Sequence, residues 1–240
     1  SWANIKPKKI IIVDFGSDKK IVYENLDLKE NVNIEIIREE SDRWILSWAI
    51  NLGLEKVNTQ YTLKLDCESF LRDNFLIKNK PKRMSFSRGN WRFYEQDQVF
   101  FNGSFLSCTK LLKEVGYYDE RFTTYGWEDS ELYERLSDNA LEANVIDPDS
   151  FDVIPQEISD RTINQDVVLE KLLSDELSIP IEKFLIRRNQ KYSYLIEKWS
   201  KEKYLRRLEI RSKNSLQNNP KLLYATFQTF FQFFKSNKSF

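Results

Sequence analysis

Lys9-Ile10-Ile11-Ile12-Val13-Asp14-Phe15-Gly16-Ser17 decides how this chain is read. Four consecutive β-branched residues are stiff about χ1 and suit a strand buried on both faces. Phe15-Gly16-Ser17-Asp18 then closes the run as a turn. Outward from this stretch, Asn33-Ile34-Glu35-Ile36-Ile37 forms a second strand. Residues 42–57 place Trp44, Ile45, Trp48, Ala49 and Leu52 at helical spacing. Tyr61-Thr62-Leu63-Lys64-Leu65-Asp66 is a third strand, ending like the first on an acid. A strand–helix–strand order with short links is a βαβ unit and predicts a parallel sheet. Further strands are expected at 84–86, 99–101, 145–146 and 151–154, with helices over 109–115 and 128–138. From about residue 164 the pattern is helical, with Tyr192, Leu195, Ile196 and Trp199 on one face. The expectation is an α/β domain over residues 1–160 with a mostly parallel sheet, followed by a helical extension over 161–240.

The composition narrows the chemistry. The 240 residues contain no histidine and two cysteines, Cys67 and Cys108. That excludes a Ser-His-Asp triad, a Cys-His pair, a His metal ligand and a cysteine zinc cluster. Catalysis must run on carboxylates, lysines, tyrosines, hydroxyls, backbone amides or a bound metal. The 37 basic and 37 acidic residues balance, which argues against a uniformly basic nucleic-acid binder. Residues 181–240 nevertheless hold 14 of the basic and 4 of the acidic residues, a net of +10, so the first 180 stand at −10. An acidic body therefore carries a basic tail.

Three acidic positions draw attention. Asp14 ends the first strand, where open parallel sheets bind ligands, and Ser17 follows in the turn. A carboxylate there can accept from a nucleobase or ribose, or it can simply cap its own turn. Asp66-Cys67-Glu68 sets two carboxylates two residues apart past the third strand. Hard divalent cations take such oxygen ligands. The alternative is capping, with Asp66 or Ser69 closing a turn over 70–74. Gly126-Trp127-Glu128-Asp129 opens a predicted helix. Acids at a helix N-terminus are favoured by the dipole alone. The same spacing also sets a candidate general base beside an indole on which a sugar ring can stack.

Taken together these segments resemble the GT-A glycosyltransferases, in particular glycosyltransferase family 2 and the galactosyltransferase C-terminal region. Residues 11–17 look like the family's "IIVVDDGS" strand and turn. Ala49-Ile50-Asn51-Leu52-Gly53 looks like its "ARNxG" segment, and Lys64–Glu68 like its DxD metal motif. Phe101-Asn102-Gly103-Ser104, Val115–Phe122 and Gly126–Leu132 look like its acceptor-side blocks. With Val115–Phe122 and Gly126–Leu132 taken as one block, five blocks in the family's order span residues 9–136. The resemblance implies an inverting, metal-dependent hexosyltransferase, galactosyltransferase-like and suited to polysaccharide biosynthesis. Asp14, Ser17, Asn51, Asp66, Asn102 and Gly103 would bind the nucleotide-sugar donor, a UDP-sugar. Asp66 and Glu68, with Gln156 on a late strand, would hold Mn²⁺ or Mg²⁺. Asp129 would be the base, Glu128 would bind or orient the carbohydrate or glycolipid acceptor, and Trp127 would flank its sugar.

The departures from that pattern are specific. The chain opens on Ser1-Trp2, which looks like the end of a helix, so the family's first strand and base-holding loop are expected to be absent. Ile50 stands where the family has an Arg, and Gln156 or Glu157 where many relatives have a metal-binding His. These differences motivate an alternative, a non-catalytic nucleotide- or sugar-binding module derived from the same fold. In the tail, Phe227, Phe230, Phe231, Phe233 and Phe234 lie between lysines. Residues 220–236 can be read as an interfacial helix on an anionic membrane, or as a helix packed on the domain. The basic and aromatic residues of 83–94 are read as sugar and diphosphate contacts rather than as a nucleic-acid surface. Few cysteines and no visible leader suit a cytoplasmic setting, peripheral to a membrane if the tail docks.

Overall fold

A computed structural model describes residues 5–22, 24, 32–94, 96–154, 167–213 and 219–237. Strands β1 (Ile10–Phe15) and β2 (Ile34–Glu39) pair in parallel, from Ile10 opposite Ile34 to Phe15 opposite Glu39. Helix α1 (Leu46–Glu55) packs on β1. Its Gly53 allows the close approach: a Cβ there would lie 3.0 Å from Val13 Cγ2.

Strand β3 (Tyr61–Lys64) does not extend this parallel pair. It joins a four-stranded sheet with β5 (Ser85–Arg88), β6 (Phe105–Cys108) and β7 (Glu142–Val145), in the order β3-β6-β5-β7. The β3–β6 and β6–β5 pairs are antiparallel and β5–β7 is parallel. A third sheet pairs β4 (Ser69–Leu71) antiparallel to β8 (Phe151–Val153). The expected mostly parallel sheet is therefore mixed. The reason lies in residues 96–103. The apolar run Val99-Phe100-Phe101 winds into a 3₁₀ turn instead of a strand. Phe101 is fully buried there, stacked on Phe151 with centroids 3.7 Å apart. The chain then doubles back as β6 between β3 and β5. All four residues of β6 are buried, as a strand covered on both faces requires. Phe105 points into a core with Leu111, Leu112, Leu132 and Leu136, while Leu106 points into one with Phe75, Phe101 and Phe151.

The helices are α2 (Phe75–Lys78), α3 (Thr109–Val115), α4 (Glu128–Asn139), α5 (Val168–Glu176), α6 (Ile181–Leu195), α7 (Lys201–Leu205), α8 (Arg207–Lys213) and α9 (Pro220–Asn237). Helix α6 ends at Leu195, so Trp199 does not continue its face. The non-helical segment 196–200 instead swings Trp199 into the main core. Its indole N–H donates to the Gly116 carbonyl at 2.7 Å. Tyr204 of α7 joins the same core. The helical extension thus shares the core of the α/β part. No helix among the described residues is long and apolar enough to cross a membrane.

Gly116 is the joint between the two parts. It caps α3 in the left-handed region at φ +79°, and a Cβ there would lie 2.6 Å from the Ser200 carbonyl. Gly116→Ala adds about 1–2 kcal/mol of backbone strain, plus displacement of residues 199–201. The expected result is a melting point lowered by several degrees, followed by circular dichroism. An unchanged melting point would contradict this packing.

Candidate active site

A cavity of about 1920 Å³ opens between β1 and β3. Residues 10–13 and 59–68 line it consecutively, so it meets both strands edge-on. Helix α1 forms a wall through Ala49, Ile50, Gly53 and Leu54. Three segments distant in sequence meet in this cavity at Gly103. A Cβ at Gly103 would lie 3.0 Å from Asp66 Oδ2, 3.2 Å from Asp129 Oδ2 and 3.3 Å from Lys64 Nζ. Any side chain at 103 would fill the cleft where these groups converge.

The positions of these groups follow from local structure. On β3, Leu63 and the following Leu65 pack against the Phe75–Phe101–Phe151 cluster. Strand alternation then turns Lys64 to the opposite side. Its Nζ donates to Asp66 Oδ1 at 2.6 Å and to the Gly103 carbonyl at 3.0 Å. The turn at 102–104 is pinned from below by Tyr133 of α4, whose hydroxyl donates to the carbonyls of Asn102 and Ser104. Asp129 accepts a 2.6 Å hydrogen bond from the Tyr118 hydroxyl. Tyr118 is fully buried, and Asn51 holds its backbone at both ends, donating to its carbonyl and accepting from its N–H, each at 3.0 Å.

The N-terminus of α4 is built on a strained loop. Gly126 and Trp127 both have positive φ, +94° and +76°. A tryptophan in that region persists only where its surroundings over-determine it. Asn189 of α6 does so, its amide donating to the carbonyls of Gly126 at 2.6 Å and Tyr125 at 3.1 Å. Two polar atoms of this corner, Trp127 Nε1 and Glu128 Oε2, are buried without a protein hydrogen-bond partner.

The electrostatics separate the two adjacent carboxyls. Burial, then the charge of Asp129, pushes Glu128 up to about 8. Burial also raises Asp129, but Lys64 and the Tyr118 hydroxyl pull it back, leaving it at about 6. Lys64 itself is raised: burial opposes its charge, and the carboxylates of Asp66 and Asp129 more than offset that. Glu128 therefore holds its proton more tightly than Asp129 does. Neighbouring carboxyls driven apart in this way can divide acid and base roles.

Asp66, Glu68, Asn102, Gly103, Trp127, Glu128 and Asp129 all line the one cavity. Asp14, Ser17 and Asn51 are not among its lining residues. Asp14 is buried within the last residues of β1, where it accepts from Arg38 at 2.8 Å and from the Ile21 N–H at 3.1 Å. Burial works against its charge, but the bonds from Ser17, Ile21 and Arg38 hold its carboxyl below the ordinary range. Arg38 also donates to the Ser17 carbonyl. Asn51 faces away from the cavity and acts on it only through Tyr118; its amide also donates to Glu120. Gln156 lies outside the described residues. Lys64, Tyr118, Tyr133 and Asn189 are site residues that the sequence reading does not single out. Only Lys64 carries a signal, two residues before an acid and on the same side of a strand.

A divalent cation suits the oxygen donors Asp66 and Glu68 in kind. Among the described residues, however, no three His, Cys, Asp or Glu side chains gather to hold a metal. Asp66 accepts from Lys64 through Oδ1, which leaves Oδ2 beside Gly103.

No protein-family profile matches this chain, and no curated protein matches it. Similar solved structures include the catalytic domain of Drosophila β1,4-galactosyltransferase 7 in complex with xylobiose. It is 16% identical, covers 68% of this chain and 78% of its own, and has a TM-score of 0.46. A mutant of the Drosophila enzyme in complex with manganese, UDP-Gal and xylobiose is also 16% identical. There the coverage is 69% and 79% and the TM-score 0.47. At that distance the function of this chain has to be read from the geometry of its own cavity.

The Glu128 proton makes a stability prediction. The unfolded chain loses it near the ordinary 4.5 and the folded chain near 8. Folding therefore binds a proton in this window, and stability falls as pH rises from 4.5 to 8. Glu128→Gln removes that loss. The variant should match wild type near pH 5 and exceed it at pH 8, by an amount on the order of a few kcal/mol. Urea unfolding at the two pH values measures the difference. An equal effect at both would show that Glu128 is not held protonated.

Proposed function

We propose that this chain is a GT-A glycosyltransferase that moves a hexose, galactose-like, from a UDP-sugar to a hydroxyl of a carbohydrate acceptor. One observation carries the reading. Asp66 of the acid-x-acid segment and Asp129 of the Trp-Glu-Asp segment converge on Gly103 in one cavity that Trp127 also lines.

In this reading Asp129 accepts the proton of the acceptor hydroxyl as that oxygen attacks the anomeric carbon. The bond from that carbon to the donor phosphate breaks, and the diphosphate leaves. A single displacement inverts the anomeric centre. Lys64 and Tyr118 favour the ionised form of Asp129, and so set its readiness at neutral pH. Glu128 keeps its proton and can donate a hydrogen bond to the acceptor, whose ring lies against Trp127. Asn102 and Gly103 border the donor sugar. Asp66 and Glu68 would hold Mn²⁺ or Mg²⁺, which when bound neutralises charge growing on the leaving diphosphate. Asp14, buried and already bonded to Arg38 and the Ile21 N–H, would act on the nucleoside end only by fixing the turn that holds Ser17. Asn51 contributes by fixing Tyr118. The setting fits assembly of a polysaccharide or glycolipid.

Asp129→Asn keeps the shape and removes the base. Transfer, followed as UDP release in the presence of a saccharide acceptor, is expected to fall about 10²–10⁴-fold, with UDP affinity nearly unchanged. In wild type the rate should rise with pH through about 6, as Asp129 loses its proton. A variant that turns over at the wild-type rate would remove Asp129 from this role. A wild-type protein that binds UDP yet never releases it from a UDP-sugar would favour the non-catalytic module.

A further inference from the structure

Helix α9 has two unlike faces. Leu222, Ala225, Thr226 and Thr229 recur at helical spacing and are buried. They face α6, which runs antiparallel to α9: Asn219 bonds the Tyr192 hydroxyl near one end, and Lys183 lies over the Phe233 ring near the other. The remaining face carries Leu223, Phe227, Phe231 and Phe234, spaced i, i+4, i+8 and i+11, with Tyr224 beside them. These five are exposed, Phe231 and Tyr224 at 56% each. Such a stripe on a soluble surface marks an interaction face.

Charge identifies what covers it. No acidic residue occurs from Ile210 to the end of the sequence, and α9 carries Lys221 near its start and Lys235 near its end. Helix α6 adds Lys183, Arg187 and Lys191, spaced i, i+4 and i+8. Lys183 and Arg187 line the mouth of the cavity, so the basic rim and the aromatic helix adjoin. A protein partner for this face would need a complementary apolar groove ringed by acids. An anionic bilayer offers both properties at once, headgroup charge for the lysines and an acyl boundary for the rings. At 18 residues, with Thr226, Gln228, Thr229 and Gln232 between its two lysines, α9 is suited to lying in that interface and not to crossing it.

We propose that α9 docks this protein on anionic lipid surfaces, with Leu223, Phe227, Phe231 and Phe234 inserted and the lysines at headgroup level. The inference rests on α9 and the basic residues of α6, and holds whether or not the cavity transfers sugar. Docked in this way, the cavity rim at Lys183 and Arg187 would lie near the headgroups.

The test is sedimentation of the full chain with extruded vesicles, one set of phosphatidylcholine and one of equal parts phosphatidylcholine and phosphatidylglycerol. The protein is expected to pellet with the anionic set, to stay in solution with the neutral set, and to be released as ionic strength rises. Phe227→Ser with Phe231→Ser should reduce partitioning about tenfold or more, with no change in melting point because both rings are exposed. Lys221→Gln with Lys235→Gln should reduce it about tenfold by the electrostatic route. Equal pelleting with neutral and anionic vesicles, or no pelleting with either, overturns the proposal. So does a dimer in light scattering that the Phe→Ser pair abolishes, which would assign the face to a second copy of the chain.

Discussion

The site turns on a buried ammonium. Lys64 Nζ is shared by Asp66 and the Gly103 carbonyl and lies in the field of Asp129 and Glu128. An unpaired ammonium at this depth is costly enough to be expelled or neutralised. Its partners come from the end of β3, the 102–104 turn and the start of α4. The requirement to satisfy one charge therefore fixes the relative places of three segments that are up to 65 residues apart in the chain. Removing the lysine would leave Asp66 and Asp129 as facing, uncompensated carboxylates on either side of Gly103.

That constraint passes directly into chemistry. Lys64 and Tyr118 draw Asp129 down while burial leaves Glu128 high, so of two adjacent residues at the first turn of one helix Glu128 holds its proton the more tightly. Supporting contacts lie a layer further out. Asn51 holds Tyr118, Tyr133 holds the turn around Gly103, and Asn189 holds the strained Gly126–Trp127 loop. Each is an amide or hydroxyl bonded to main-chain carbonyls, so the site rests on the backbone and not on mobile surface side chains. Because α6 carries Asn189 and segment 196–200 carries Trp199 into the core, the helical extension is part of the scaffold that shapes the cavity.

Much of this is legible in the sequence, for identifiable reasons. The β-branched run at 10–13 forms its strand, the helical spacing over 42–57 becomes a helix only over Leu46–Glu55, with Trp44 and Ile45 ahead of it, and the helix expected over 128–138 forms as Glu128–Asn139. The acids Asp66, Glu68, Glu128 and Asp129 are legible because their residue types and spacing carry chemistry. The sheet is misread at Val99-Phe100-Phe101, because a three-residue apolar run does not distinguish a strand from a buried turn. That error hides the antiparallel return through β6. Ser69 reads as a cap, whereas 69–71 pairs with β8, a contact more than 80 residues distant that no local signal announces. Tyr192–Trp199 reads as one helical face because side-chain spacing does not report that α6 stops at Leu195. Lys64 and Tyr118 escape notice because a lysine in a strand and a tyrosine in a loop ordinarily need no partner.

The central claim is that the carboxylates around Gly103 belong to a nucleotide-diphosphate site. Calorimetric titration of UDP into the protein, with and without Mn²⁺, tests it most directly. Saturable binding is predicted, tightening about tenfold or more when Mn²⁺ is present, because in the proposed site Asp66 and Glu68 would supply part of a cation's oxygen shell and the diphosphate the rest. Absence of binding in both conditions, or binding indifferent to the metal, would contradict it.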